Sequence, residues 1–314
     1  SMISFLLIFI SSLFFMGILI RIKSLASGRK GPGIMQPMRD IIRLLRKGAV
    51  YSRTTSYIFQ IAPTVYFASV IAALLVVPFG SRSGFISFNG DFVFFAYVLA
   101  MGKFFSIIGA LDTGSSFEGM GASREALFSM FAEPAFFILM GSFSLLTGFT
   151  SFHDIFSSLH LASHFASGAE LTRETYLSYV LAVLATFVLV MIAMTENSRM
   201  PVDDPNTHLE LTMIHEVMIL DNSGFDLGLI LYTTSLKFAM YGALIANFFL
   251  NGMALPFGIM LFFVVQFLFA VSAGLIESFM ARFRMGHNPQ FIFILSSVSL
   301  LIFFAVLLLT GKFV

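Results

Sequence analysis

The chain has 314 residues, 58% of them apolar and 11% charged, with a net charge of +1 and a mean hydropathy of +0.92. Soluble domains run at about 45–50% apolar and about 25% charged, so this composition excludes a water-soluble globular domain and points to membrane spans. A net charge this small gives no basis for a nucleic-acid partner, and the absence of cysteine excludes an iron–sulfur cluster or a disulfide held by this chain.

Apolar runs long enough to cross about 30 Å of hydrocarbon at about 1.5 Å per residue predict eight transmembrane helices. They fall at about 2–20, 57–79, 92–111, 126–150, 175–196, 227–250, 255–281 and 290–310. The fold class expected is an all-α membrane protein, one polytopic domain over 1–314. The first run lacks a basic flank and a small-residue cleavage site, so it reads as a helix that stays. Pro63 and Pro134 kink or start helices rather than forbid them. There is no internal repeat, and the 41 phenylalanines read as lipid-facing bulk. His153, His160, His164, His208, His215 and His287 all lie between the spans, so no intramembrane histidine pair is present to hold a haem.

Loop charge sets the orientation. The first loop carries Arg21, Lys23, Arg29, Lys30, Arg39, Arg43, Arg46, Lys47 and Arg53, and the other loops on that side add Arg124, Arg199, Arg282 and Arg284. The opposite side has only Arg82, Arg173 and Lys312. The long first loop is therefore expected in the cytoplasm of a prokaryotic cell, with both termini outside. Within it, residues 35–49 place Met38, Ile41, Ile42 and Leu45 on one face and Arg39, Arg43, Arg46 and Lys47 elsewhere, the pattern of an amphipathic helix at a membrane surface. Simple interfacial packing explains that pattern equally well.

The loop of residues 197–226, between the fifth and sixth spans, is more structured than a connector. Pro201 and Pro205 bracket Asp203 and Asp204. Thr207 followed by Glu210 forms a capping box that predicts a helix to about Leu220. His208 and His215 share a helix face, with Glu210 and Glu216 nearby, but their spacing is not that of a zinc motif such as H-E-x-x-H. No metal site is expected. An ordered loop on a membrane subunit suggests a docking platform, with Arg124, Arg199, Asp203, Asp204, His208, Glu210, His215, Glu216 and Asp221 as its candidate residues.

Ionisable groups inside spans cost about 2.5–3.5 kcal/mol each at a helix centre, so they persist only where partners or water receive them. Lys103 falls mid-span in the third helix and Lys237 mid-span in the sixth. Glu133 lies about two turns into the fourth and Glu277 near the cytoplasmic end of the seventh. Glu196 closes the fifth, beside Asp112, Glu118, Arg124 and Glu125 of the second cytoplasmic loop. Glu118, Glu125, Glu133, Glu196, Glu277, Lys103, Lys237 and Asp112 are thus candidates for an ion path; structural ion pairing, such as Glu133 with Arg124, accounts for the same pattern.

At these loops the sequence resembles the subunit 1 family of respiratory complex I and its hydrogenase relatives. GRKGPGIMQPMRD in the first loop resembles the family's G-R-x-G-P … Q-P-x-x-D stretch. GASREALFSMFAEP sets Arg124 nine positions before Glu133, as that family does. ENSRMPVDDP…HLEL…LDNSG is similar to its long loop. LDTGSSFEGMGASREA and ESFMARFR resemble the membrane-bound nickel–iron hydrogenase branch, with its formate hydrogenlyase and hydrogenase-4-type membrane subunits. Where complex I proteins have Asp-Leu-Pro-Glu-Ala-Glu and Glu-Tyr-Ser-Gly, this chain has Val202-Asp203-Asp204-Pro205 and Asp221-Asn222-Ser223-Gly224.

The resemblance implies eight helices and a subunit without a redox centre of its own. An iron–sulfur small subunit and a nickel–iron hydrogenase-like large subunit would dock on the cytoplasmic loops. Antiporter-like membrane subunits and lipids would flank it, and H+ or Na+ movement would be coupled to redox chemistry through buried carboxylates. Arg124 and Arg199 would hold those acids ionised, with Glu118 and Glu125 as relays. Two alternatives stay open: the quinone-site subunit of a complex I-type dehydrogenase, and a structural anchor whose charges are only ion pairs. Inverted repeats, expected of many secondary transporters, are missing.

Overall fold

The computed structural model describes residues 2–159, 173–203, 213–280 and 287–310. Among them, eleven helices and no strand occur: α1 Met2–Ala26, α2 Gln36–Leu45, α3 Tyr57–Val76, α4 Asp91–Asp112, α5 Ser116–Thr147, α6 Phe152–Ser158, α7 Arg173–Glu196, α8 His215–Met218, α9 Gly224–Leu250, α10 Leu255–Phe279 and α11 Asn288–Leu309. Eight of these, α1, α3, α4, α5, α7, α9, α10 and α11, are long and apolar enough to cross a membrane.

α9 is the centre of the bundle. In its most apolar window 89% of residues are buried, against 28–56% for the other seven spans. A helix enclosed on every side can afford small and polar residues where lipid-facing helices carry bulk, and Thr233, Thr234, Ser235, Lys237 and Asn247 are all buried here. α9 touches α1, α2, α3, α7 and α10, while α11 packs on α5 and α7 and α1 closes against α10. Polar side chains stitch these contacts, because no water inside a bilayer satisfies them. Asn247 accepts from Gly80 N at 2.8 Å and donates to Pro78 O at 2.9 Å. Ser4 Oγ donates to Val77 O at 2.8 Å.

α5 starts ten residues before the predicted span. Its first turns, SFEGMGASREA, are too polar for a hydropathy window yet contain good helix formers, so they extend the membrane helix on one axis to 32 residues. Glu118, Arg124 and Glu125 therefore sit on a helix and not in a loop, and Glu133 lies almost five turns in rather than two. Pro134 is accommodated mid-helix, as is Pro63 in α3.

α2 forms where the basic amphipathic segment was expected, with Met38 and Ile41 buried. It packs on the protein, against α9 and α1. Ile42, counted with the apolar face, stays 42% exposed beside Ile34 and Met35. The chain after α2 is pinned to the start of α9: Val50 N donates to Ser223 Oγ at 3.0 Å and Tyr51 OH to Asp226 Oδ2 at 2.8 Å. Gly224 makes this approach, with φ +51° and its α-carbon facing the Gly48 backbone. A side chain there would clash with that backbone and occupy a left-handed conformation that costs about 1–3 kcal/mol for residues other than glycine. Gly224→Ala is accordingly expected to lower stability by at least that amount and to expose Arg46–Arg53 to trypsin; limited proteolysis of the membrane-embedded protein checks it.

Candidate functional site

Four helices bring charge to one place. On α5, Glu118, Glu125 and Ala132 recur every seven residues and form one inward stripe, all three almost fully buried. α4 supplies Lys103, α7 ends on Glu196, and α9 supplies Lys237. Lys103 Nζ lies 2.9 Å from Glu196 Oε2 and 3.1 Å from Glu125 Oε1. Lys237 Nζ lies 2.9 Å from the same Glu196 Oε2 and donates to Glu196 O at 3.0 Å. Two ammonium groups thus face two carboxylates, and the cluster is neutral overall. Removing one member of such a buried set leaves an uncompensated charge.

The turn after α7 ties this cluster to a second one. Ser198 takes φ +49°, a left-handed conformation suited to a helix C-terminus, and its Oγ donates to Glu125 Oε2 at 3.1 Å. The next residue, Arg199, donates to Glu277 Oε1 at 3.5 Å and stands 5.8 Å above the Phe238 ring. Glu277, with a fully buried side chain, is also 3.3 Å from Lys23 Nζ. Lys23, read from sequence as a loop charge, lies in the last turn of α1.

The other candidates divide by location. Glu133 is one residue past the inward stripe, hence about 100° round the helix, and is exposed on the side of the bundle. It stands at a cavity of about 30 Å3 shared with Lys103, Glu196 and Tyr241. Arg124 is nine residues back along the same helix, two and a half turns away, and donates to Met213 O at 3.0 Å. It does not pair with Glu133. Asp112 Oδ2 accepts from Ser56 N at 2.6 Å and Phe59 N at 3.3 Å, capping α3. Glu118 Oε1 accepts from Asp221 N at 2.9 Å, anchoring the turn before α9.

Asp203, fully buried, accepts from Ile214 N and His215 N at 3.1 and 3.0 Å. It thereby ties the turn after α7 to the start of α8. Asp204, His208 and Glu210 lie outside the described residues, as do His160 and His164. The helix expected from Thr207 is described only as α8, His215–Met218. Glu216 lines a cavity of about 300 Å3 between α1, α2 and α9, together with Arg199, Asp40 and His215. Among the described residues no group of three or more histidines and acids could hold a metal ion.

His215 sits deep enough that burial lowers its pKa below the usual imidazole value. Glu125 pulls the other way, and Lys237, Lys103 and Arg199 reinforce the lowering. Ser198 and Tyr241 were not signalled by sequence, since a serine ending a helix and a tyrosine in an apolar run are both commonplace.

A bundle of eight spans with a balanced lysine–glutamate cluster where α7 ends defines a polytopic membrane protein built around internal charge. Its family follows from comparison: the NADH dehydrogenase family model matches residues 1–310, and the chain belongs to that family. Hydrogenase-4 component C of Escherichia coli is 29% identical over 244 residues, 78% of this chain and 71% of that one. Formate hydrogenlyase subunit 4 of Escherichia coli is 26% identical over 270 residues, 83% of each. An NADH-quinone oxidoreductase subunit of Paraburkholderia xenovorans is 24% identical over 241 residues, 76% of this chain and 66% of that one. A chain of the membrane-bound sulfane sulfur reductase, an archaeal respiratory membrane complex, shares the fold with a TM-score of 0.74 at 16% identity, over 96% of this chain and 98% of that one.

Two outcomes are expected from this geometry. Glu196→Gln leaves two ammonium groups with one carboxylate and should cost about 3–5 kcal/mol, whereas Glu196→Gln with Lys237→Met restores the balance and should recover most of it; thermal unfolding of the purified protein distinguishes them. A histidine with a lowered folded-state pKa favours folding above its unfolded value of about 6.5. Packing around α8 should therefore weaken as pH falls below that value, seen as faster amide exchange over 213–222, and His215→Asn should abolish the pH effect.

Proposed function

We propose that this chain is the membrane subunit of a multi-subunit redox complex of the hydrogenase and complex I kind, coupling electron transfer elsewhere to H+ or Na+ movement. The observation that carries this reading is the neutral Lys103–Glu125–Glu196–Lys237 cluster inside the spans. Ion pairs that serve only as glue are replaceable by apolar packing at little cost, and this cluster shares a cavity with an exposed glutamate and is bonded to the turn after α7. Kinship with hydrogenase-4 component C and formate hydrogenlyase subunit 4 supports a hydrogenase-type partner.

In this reading an iron–sulfur small subunit and a nickel–iron hydrogenase-like large subunit carry the redox centres. They dock on the face formed by α2, the turn after α7 and α8. That face is cytoplasmic, and both termini lie outside the cytoplasmic membrane, because the loop charges fall that way. A change of charge or shape at the docked arm moves the Ser198–Arg199 turn. That motion acts on Glu125 through one residue and on Glu277 through the next. A proton delivered to Glu196 loosens its hold on both lysines, and Glu133, at the side of the bundle, passes charge to a neighbouring antiporter-like subunit.

A second reading, the quinone-site subunit of a dehydrogenase, is favoured by one feature. The cavity of about 300 Å3 between α1, α2 and α9 has apolar walls from Met16, Ile20 and Leu231 and polar groups from Arg199 and His215. Labelling by a photoreactive quinone analogue at Met16 or Ile20, competed by quinone, would favour it.

Glu133→Gln keeps the fold, since its side chain makes no ion pair among the described residues. It is expected to abolish ion translocation by the reconstituted complex while electron transfer to an artificial acceptor continues. Translocation at the normal rate would reject the coupling role.

A further inference from the structure

Two cavities on the loop side of the bundle share one lining residue, His215. The larger, between α1, α2 and α9, carries Arg199, Asp40 and Glu216 in its wall. The smaller, between α3, α4 and α9, is about 20 Å3 and is lined by Ser106, Gly109, Met218 and Asn222 among others. That volume accommodates a single water molecule.

The smaller cavity also has the polar atoms that a water needs. His215 Nε2 and Asn222 Oδ1 are buried with no hydrogen-bond partner among the described residues. Leaving two such groups unsatisfied costs about 1–3 kcal/mol each, and buried polar atoms are generally satisfied by protein or by ordered water. Ser106 offers a third partner. Its Oγ donates to Gly102 O at 3.2 Å, so its lone pairs remain free to accept. Ser106 is one turn along α4 from Lys103, the ammonium bridging Glu125 and Glu196.

We infer that His215 is a proton-relay residue, joining the larger cavity to the Lys103–Glu125–Glu196 cluster through one water held against Asn222 and Ser106. The inference rests on the coupling function proposed above and supplies the entry to it. Asp203 holds the backbone at this point by accepting from the His215 and Ile214 amides, and leaves the ring free to turn. The charged groups around the ring come from every neighbouring element: Glu125 of α5, Lys103 of α4, Lys237 of α9 and Arg199 of the turn after α7, with Asp40 of α2 and Glu216 of α8 across the larger cavity. Burial and the three cations keep the imidazole neutral, the form that presents one donor and one acceptor nitrogen. In the transfer a hydronium ion in the larger cavity gives its proton to one ring nitrogen and is left as water, while the N–H bond at the other nitrogen breaks and its proton passes to the held water, which releases one of its own protons toward the Glu125 and Glu196 carboxylates. The ring ends neutral in its other tautomer, and a rotation resets it.

The test uses the whole complex reconstituted in vesicles. His215→Asn is expected to slow proton translocation by about tenfold or more, as loss of a positioned proton-transfer group does, while electron transfer to an artificial acceptor persists. In His215→Ala, added imidazole should restore translocation, which a purely structural role would not allow. Should either histidine variant fail to assemble, Asn222→Leu fills the water's cavity and is expected to reproduce the loss. Normal translocation in His215→Asn beside lost translocation in Glu133→Gln, which keeps the fold, overturns the relay and spares the coupling function. Normal translocation in Glu196→Gln overturns the coupling function and the relay with it. A cryo-EM map that resolves ordered waters but has none between His215 and Asn222 overturns the relay whatever the transport result.

Discussion

Two lysines enclosed in a membrane bundle dictate much of what surrounds them. Lys103 and Lys237 are both buried, so each must meet an anion within the protein. Glu196 meets both through one carboxylate oxygen, and Glu125 meets Lys103 with its other oxygen held by Ser198. That requirement explains why α9, the helix carrying Lys237, is the one surrounded on all sides. It also explains why α7 ends at the depth it does, since Glu196 must stop where the two ammonium groups converge.

The turn following Glu196 then becomes the mechanical junction of the molecule. Within two residues it contacts a carboxylate of α5 and another of α10, and Asp203 a few positions later closes the segment leading to α8. A displacement of this turn cannot leave either acid undisturbed. Such a lever, set between the segment leading to α8 and a charge-balanced interior, is what the proposed coupling function demands.

The number of spans was plain in the hydropathy of the chain, because lipid imposes a length and a composition that few soluble sequences imitate. The helical nature of 116–125 was not, as its polarity resembles a loop until its packing under α8 is known. Lys103 and Lys237 stood out as improbable residues for their positions, yet nothing in the sequence said that one glutamate would answer both. The Arg124–Glu133 pairing failed for a geometric reason: nine residues on one continuous helix put them far apart along the axis. Asp112 was conspicuous as a charge at a helix end and is used for that ordinary purpose, holding the first amides of α3. Asn222 and Ser106 drew no notice, since an amide in a turn and a hydroxyl in a span gain meaning only from the space between them.

The outward aspect of Glu133 bears on how such a subunit is made. A carboxylate on the flank of a lone bundle would border acyl chains, an arrangement penalised by about 2.5–3.5 kcal/mol at a helix centre on insertion scales. Pairing with an adjacent membrane chain relieves that penalty. If the proposed neighbouring subunit covers Glu133, copies that find it gain stability over those that do not, and assembly and survival in the bilayer are then linked through one side chain.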